Sequence, residues 1–94
     1  MKQLTKKTEA IFPLVTTPVI REHINMSNSA LRRWRTNGLI TQNVHWQYAP
    51  GTKHAILWNL NLIRSWIACG GDQSHPKHKK LIESYLKSIP IRFG

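Results

Sequence analysis

The chain has 94 residues, with 14 lysines and arginines against four acids, so its formal net charge at pH 7 is +10. This length suits one compact domain and is too short for two, and no apolar run reaches the ~18 residues of a membrane span. The single cysteine excludes an intrachain disulfide, so we expect a soluble cytoplasmic protein. The excess positive charge predicts a polyanionic partner, nucleic acid before an anionic membrane surface.

Residues 1–10 are polar and basic, and we interpret them as a flexible arm. The apolar run over 11–15 predicts a short edge strand or an extended lead-in, because a proline interrupts it. Thr17 followed by Pro18 is typical of a helix start, and the first helix is expected to end near Asn25. Its apolar face carries Val19, Ile20, His23 and Ile24.

A second helix is predicted directly afterwards. Ser27 is a suitable N-cap, and Gly38 suits the left-handed conformation that ends many helices. Between them, apolar residues at helical spacing indicate the buried side. Two short helices joined by a turn of three or four residues form the helix-turn-helix pattern. The buried stripe consists of Ala30, Leu31 and Trp34.

The outward face of this second helix has the side-chain types that read DNA. It presents arginines that can bond guanine, an asparagine that can bond adenine, and hydroxyls that can bond bases or phosphates, with no acid among them. Arg35 lies nearer the flank, where we expect a phosphate contact or a packing role. The competing interpretation is an ordinary solvated basic face. The candidate DNA-binding residues of this helix are Asn28, Ser29, Arg32, Arg33, Arg35 and Thr36.

After the second helix the apolar period changes to an approximate alternation, which predicts a strand over 39–48. A turn at 49–52 and a second β-favouring run at 55–58 complete a hairpin, the candidate wing. Lys53 and His54 lie at or just after its tip. We expect them to contact the DNA backbone or the minor groove, although a lysine in a turn is also common on any surface.

The four tryptophans admit two interpretations. Exposed indoles can stack on unpaired bases, as they do in proteins that bind single-stranded RNA. Each of these tryptophans lies in an apolar pattern, so core packing is expected for at least three of them. Trp46 has polar neighbours on both sides and is the one that could face outward.

The C-terminal part predicts two further helices. The third is capped by Asn59 or Asn61, and its buried face contains Leu60, Ile63, Trp66 and Ile67. The fourth begins at 74–76 and ends at Pro90, and its apolar side contains Leu81, Ile82, Tyr85, Leu86 and Ile89. We therefore divide the chain into the arm over 1–10, a DNA-binding domain over 11–71, and a helix with its tail over 72–94. This last segment is expected to pack on the domain or to mediate self-association.

The residue types of a catalytic site do not occur together in the sequence. The four acids are scattered, no glycine-rich loop suits phosphate binding, and Cys69 is expected to be a buried thiol. Cys69, His75 and His78 lie close in sequence, but structural zinc usually takes four ligands and no second cysteine is present. The two histidines are expected instead to add to the basic start of the fourth helix. We expect no enzyme activity, no metal and no cofactor.

The order helix, turn, helix, hairpin, helix over residues 16–67 resembles small winged-helix proteins. This group includes the excisionases, also called recombination directionality factors, and the AlpA-like and MerR-like regulators. The matching pieces are TPVIREHI, SALRRW, GLI and ILWNLNLIRSWI, at residues 17–24, 29–34, 38–40 and 56–67. Two departures are present: the turn at 25–27 lacks the glycine often found there, and the fourth helix has no counterpart in the shortest members.

The resemblance implies a mainly α-helical winged helix-turn-helix with a small β-hairpin, to which a C-terminal helix is added. It also implies sequence-specific binding to double-stranded DNA of a phage or mobile element, in a bacterial cell or an infected host. Excisionases bind adjacent sites and bend the DNA, which lets a partner integrase assemble, and they catalyse no reaction. Two alternatives stay open. One is a transcriptional regulator on the same fold, and the other is a protein-interaction module whose basic face docks on an acidic partner.

Overall fold

The computed structural model describes residues 12–88, so the predicted arm over 1–10 and the predicted helix end at Ile89 and Pro90 lie outside the described residues. In chain order the elements are β1 (Leu14–Thr16), α1 (Thr17–Ile24), α2 (Asn28–Thr36), β2 (Trp46–Tyr48), β3 (Ile56–Asn59), α3 (Leu60–Ala68) and α4 (Pro76–Ser88). Over this range the chain is therefore an α+β unit of four helices and one three-stranded sheet. Within it, no helix has both the length and the apolar character needed to cross a bilayer.

The sheet is antiparallel and is built around β3, its central strand. β1 pairs with one side of β3, with Val15 opposite Trp58, and β2 pairs with the other side, with Trp46 opposite Trp58. The predicted edge strand and the predicted hairpin are both confirmed. β1 directly precedes α1, so its pairing with β3 brings the start of α1 next to the hairpin, although α1 and β3 are far apart in sequence.

The turn of the hairpin follows from Pro50 and Gly51. Proline presets the second position of a β-turn, and Gly51 adopts a φ of +82°, which glycine takes without steric cost. The amide of Thr52 donates to the carbonyl of Ala49 at 3.2 Å and closes the turn. The sequence therefore determines the position of the hairpin tip locally.

The strand predicted over 39–48 is wrong for most of its length, because only its last three residues form a strand. Before them the chain turns back on itself. The amides of Val44 and His45 donate to the carbonyl of Thr41, and Asn43 adopts a φ of +66°. A loop that buries apolar residues near both of its ends gives the same alternation as a strand, which is why the pattern was ambiguous.

α1 begins one residue earlier than the sequence indicates. Its N-cap is Thr16, whose side chain makes no capping hydrogen bond, and the predicted cap Thr17 lies inside the helix. The hydroxyl of Thr17 accepts instead from the indole N–H of Trp58 at 2.9 Å. A residue that the local pattern assigned to capping is thus used to join α1 to the central strand.

The turn between α1 and α2 is made without glycine. Asn25 takes the left-handed conformation with a φ of +56°, and its amide donates to the carbonyl of Arg21 at 2.8 Å. Asparagine is one of the few residues that tolerate this conformation. Ser27 is the N-cap of α2, as predicted, and its hydroxyl accepts from the amide of Ala30 at 3.1 Å. Asn59 caps α3 in the same way, which confirms one of its two predicted caps.

The core lies between the sheet and the first three helices. Trp34 is half-buried and packs edge-on against Trp66, with ring centroids 4.8 Å apart. Trp46 is only 7% exposed, so the outward-facing alternative for this residue is wrong. Core packing of the tryptophans is confirmed. The residues at the centre of the core are Ile20, Leu31, Ile40, Trp46, Trp58, Leu60, Ile63 and Trp66.

The helices bury narrower faces than the apolar patterns predicted. In α1, Val19 is 38% exposed and His23 is also exposed. Ile67 of α3 is 41% exposed and Leu86 of α4 is 49% exposed. The expectation that Ile67 is buried is wrong, because a short helix with few neighbours has its apolar stripe covered only in part. Conversely, Leu62 is fully buried, since α3 contacts both β3 and α4.

α4 is attached to the rest of the chain through a buried pair of histidines. His78 is fully buried, so the prediction that it adds to a basic helix start is wrong. Its Nε2 lies 2.8 Å from Nε2 of His45, and its Nδ1 lies 2.9 Å from the hydroxyl oxygen of Ser65 in α3. Nδ1 of His45 accepts from the amide of Thr41 at 2.9 Å. The pair therefore joins the loop before β2 to both α3 and α4.

Candidate nucleic-acid interface

α2 exposes a continuous polar side to solvent. The cap at Ser27 fixes its first turn, and Ala30 and Leu31 anchor its inner side in the core. Successive helical residues are rotated by about 100°, so the side opposite these anchors carries the polar residues. The predicted DNA-binding residues that are exposed on this side are Asn28, Ser29, Arg32, Arg33 and Thr36.

The same helix is strongly cationic. It contains three arginines and no acid, and two of them, Arg33 and Arg35, lie in its last turn. Positive charge at this end also favours the helix dipole. Because no carboxylate on the helix neutralises the guanidiniums, they create a positive potential at the protein surface. An anionic surface is the natural complement of this side of α2.

Arg35 lies in a different environment from the other two arginines. It is half-buried, and its Cζ lies 4.9 Å from the centroid of the Trp46 ring. Its Nε is enclosed and has no hydrogen-bond partner among the described residues. Helical geometry separates it from Arg33 by about 160° around the axis. The two arginines therefore point to opposite edges of the exposed side, and Arg35 points towards the sheet.

The hydroxyl of Thr36 is engaged within the helix. Its Oγ1 donates to the carbonyl of Arg32 at 3.0 Å. A phosphate oxygen can only accept hydrogen bonds, so this donor must leave its present partner before it can bind a phosphate. Its oxygen can still accept from a base amino group. Thr36 remains a predicted contact residue, although its present geometry favours contact with a base over contact with a phosphate.

The hairpin tip places its two candidate residues differently. Both Lys53 and His54 are exposed. The amide of His54 donates to the hydroxyl of Thr52 at 2.9 Å, which fixes the backbone just after the turn. His54 borders a cleft that it shares with α2, whereas Lys53 lies only at the outer tip, beside Gly51. The hairpin therefore places His54 beside α2 and Lys53 farther from it.

The cleft between α2 and the hairpin, called here the α2–hairpin cleft, has a volume of about 380 Å³. It brings together five predicted residues from the helix and the tip, and it does not include Arg33, Thr36 or Lys53. The start of α1 and the central strand complete its walls. Its lining residues are Thr17, Asn28, Ser29, Leu31, Arg32, Arg35, His54, Ile56 and Trp58.

Four residues of this cleft are not among the predicted DNA-binding residues. The sequence predicts a capping role for Thr17 and a core role for Leu31, and it places Ile56 and Trp58 in a β-favouring run without a role at a site. Two of these residues, Thr17 and Trp58, are joined by a hydrogen bond that spans 41 positions of the chain. No local pattern carries that information. The sequence alone therefore does not show that the hydroxyl of Thr17 lies beside the basic helix α2.

The buried histidine pair is separate from the α2–hairpin cleft, because neither histidine lines it. Burial and the neighbouring His78 lower the pKa of His45 to about 4, and burial and His75 lower the pKa of His78. Both rings are therefore neutral at pH 7. Since Nδ1 of His45 accepts an amide hydrogen, its own proton is on Nε2 and is donated to His78. His78 then carries its proton on Nδ1 and donates it to Ser65.

The histidines and the cysteine do not assemble a metal centre within residues 12–88, where no group of three or more metal-ligating side chains lies together. Cys69 is half-buried, at the C-cap of α3, so the expectation of a buried thiol holds only in part. His75 is also half-buried, and its Nδ1 accepts from the amide of Lys77 at 3.2 Å. Among the described residues, α2 and the hairpin remain the strongest candidate interface.

No family model matches the chain, and no curated protein or solved structure matches it either. The function is therefore inferred from the residues of the interface and from the resemblance in element order.

Proposed function

We propose that the chain is a sequence-specific double-stranded DNA-binding protein on a winged helix-turn-helix of the MerR and excisionase type. In this proposal α1 and α2 are the helix-turn-helix, α2 is the recognition helix, and the hairpin of β2 and β3 is the wing. The observation that carries it is the exposed side of α2, which presents Arg32 and Arg33 and on which Arg32 shares a cleft with His54 of the hairpin tip.

The dimensions of α2 suit the major groove. A helix with its side chains is about 10–12 Å across, and the major groove is about 12 Å wide, so the nine residues of α2 can lie within it. With its core side held by Leu31, the helix can present Asn28 and Arg32 to base edges. Arginine bonds two acceptors of guanine at once, and asparagine bonds adenine through a donor and an acceptor. These pairings supply sequence discrimination.

The hairpin supplies contacts that do not depend on sequence. Lys53 at the outer tip can reach a phosphate or the minor groove beside the site of α2. Contacts on both sides of the bound groove favour a bent duplex, because the bend brings further phosphates to the protein. Bending a site costs about 1–6 kcal/mol, which such contacts offset. We therefore propose an architectural role, in which the bent DNA lets an integrase assemble on a phage or mobile element.

The chain acts in this proposal by binding alone, with neither a catalytic residue nor a cofactor. The experiment that tests it is selection of duplexes from a randomised pool by the purified chain. The bend of the selected site is then measured by circular permutation of that site within a fragment. We expect enrichment of a short motif, a ladder of complexes on repeated sites, and a bend centred on the motif.

Other outcomes of this experiment identify other functions. One discrete complex on a two-fold symmetric site, without a bend, would favour a transcriptional regulator that binds as a homodimer. Failure to retain any duplex at low salt would contradict DNA binding. The basic side of α2 would then be a surface for an acidic protein partner. A ladder of complexes, one discrete complex and no complex are distinguished by their electrophoretic mobility.

A further inference from the structure

The α2–hairpin cleft combines two positive charges with apolar lining residues. Arg32 and Arg35 line it from α2, and no acidic residue is among its lining residues. Guanidinium groups present N–H donors in a planar fork that matches two oxygens of a phosphate. The apolar residues of the lining are Leu31, Ile56 and Trp58, of which Leu31 and Trp58 are buried. A small anion therefore fits the charge of the cleft better than a neutral ligand.

Arg35 is held in place before any ligand binds. Its guanidinium lies over the Trp46 ring at 4.9 Å, a contact that restricts the side chain and removes part of its hydration. Its enclosed Nε has no acceptor among the described residues. A desolvated cation attracts an anion more strongly than a hydrated one, and a donor left without an acceptor is costly. The free protein thus has an incompletely satisfied positive group at this edge of the cleft.

Two further donors border the same space. Trp58 donates to Oγ1 of Thr17, so that oxygen serves as an acceptor while the hydroxyl hydrogen can turn towards a ligand oxygen. His54 also borders the cleft, where its ring N–H can donate, and its backbone is fixed by its hydrogen bond to Thr52. The cleft therefore has donors from α1, from α2 and from the hairpin. A tetrahedral group with several acceptor oxygens can bond to more than one of these elements at once.

We propose that the α2–hairpin cleft seats one phosphodiester group of the DNA backbone, an inference that rests on the proposed function. Arg35 is its main ligand, assisted by the hydroxyl of Thr17. The contact fixes the depth and angle at which α2 enters the groove. Arg35 is accordingly a positioning residue for duplex DNA, whereas Arg32 and Arg33 face the bases.

The test uses the complete chain and the side-chain Nε–H resonances of arginine in NMR spectra. A short duplex of mixed sequence is added at low ionic strength, and inorganic phosphate is titrated in a separate sample. We expect the Arg35 resonance to shift with duplex at concentrations where the α2 amides shift. We expect inorganic phosphate to move it only at much higher concentration.

A matched pair of variants gives a second measurement. R35K keeps the charge but loses the planar fork and the stacking on Trp46, whereas R64K makes the same change at an exposed position of α3. We expect R35K to weaken duplex binding about tenfold and R64K to leave it unchanged. Thermal unfolding of both variants verifies that each is folded, and the NMR test on the unaltered chain does not depend on them.

Two results would overturn the inference and leave the proposed function standing. One is a duplex that shifts the α2 amides and leaves the Arg35 resonance unmoved. The other is an equal affinity of R35K and R64K for that duplex. A shift of Arg35 with inorganic phosphate and none with duplex would assign the cleft to a free anion. If no duplex binds at all, the proposed function is wrong, and so is the inference that the α2–hairpin cleft binds a phosphodiester group.

Discussion

Three arginines that look equivalent in the sequence have different surroundings once α2 has formed. Arg32 and Arg33 are exposed, whereas Arg35 is half-buried against Trp46. An exposed guanidinium is free to adopt the bidentate geometry that guanine requires. A stacked guanidinium has less freedom and suits a fixed phosphate contact better. At the scale of the residue, we therefore propose that Arg32 and Arg33 contact bases, whereas Arg35 positions the helix on the DNA backbone.

The first prediction compares R32A with K53A. In the proposed function Arg32 contacts a base, so we expect R32A to weaken binding to the selected site by about 1–3 kcal/mol and to relax the choice of base. Lys53 is proposed to contact a phosphate, so we expect K53A to weaken binding to every duplex and to lower the slope of log K against log salt by about 1. Titrations of selected and random duplexes at several salt concentrations measure both effects. Equal losses for R32A on the two duplexes would contradict base reading by Arg32.

The second prediction concerns the buried histidine pair and pH. In the unfolded chain histidine takes up a proton near pH 6.5, but in the folded chain burial lowers the pKa of His45 to about 4. Between these two values the unfolded state binds more protons, so the free energy of unfolding falls as the pH falls. The stabilisation is complete above pH 6.5 and is lost progressively towards pH 4, by an amount on the order of 3 kcal/mol for His45.

Urea unfolding followed by tryptophan fluorescence at a series of pH values measures this dependence. The pKa of Asp72 is also lowered, by hydrogen bonds from Ser74, but this group changes stability only below its ordinary pKa of 3.8. The two effects therefore occupy different ranges of pH. If the free energy of unfolding stays constant or rises as the pH is lowered from 6.5 to 4, the assignment of a neutral histidine pair is contradicted.

At the scale of the element, α2 depends on its first turn. The hydroxyl of Ser27 accepts from the amide of Ala30, so S27A leaves that donor without its partner. We expect S27A to lower the free energy of unfolding by about 0.5–2 kcal/mol. T16A is the matched control, because Thr16 is the N-cap of α1 and its side chain makes no capping bond. Chemical unfolding of both variants compares them, and an equal or larger loss for T16A would refute the role of the Ser27 cap.

The elements that were predicted correctly depend on residues close together in the chain. The Ser27 and Asn59 caps and the turn at Pro50 and Gly51 are each determined within about four positions, so their residue types were sufficient. The candidate residues on α2 followed from helical spacing alone. The strand over 39–48 failed because burial at both ends of a loop produces the same period as a strand.

Long-range pairing could not be predicted in this way. Thr17 meets Trp58 across 41 positions, and His45 meets His78 across 33. Each contact joins elements whose relative positions are set by the packing of the whole core, so the residue types alone left their partners undetermined. For this reason the sequence indicated the exposed side of α2 but did not indicate the α2–hairpin cleft beside it.

At the scale of the whole molecule, the positive charge is spread over more than one surface. α4 also exposes several lysines, and its outer side is therefore a competing surface for a polyanion. The net charge of +10 attracts DNA to the chain without specifying which side binds it. The proposed function requires the binding side to be α2 and the hairpin, with α4 on a side that does not read the sequence. The exposed lysines of α4 are Lys77, Lys79, Lys80 and Lys87.

The measurement that tests this requirement most directly compares two double variants that remove the same charge from different helices. R32A/R33A removes two positive charges from α2, and K79A/K80A removes two from the exposed part of α4. Both are titrated against the selected duplex and a random duplex at the same salt concentration. We predict that R32A/R33A loses most of its preference for the selected duplex, while K79A/K80A weakens binding to both duplexes equally and slightly. Sequence reading by α2 would be contradicted if K79A/K80A lost the preference for the selected duplex or if R32A/R33A kept it.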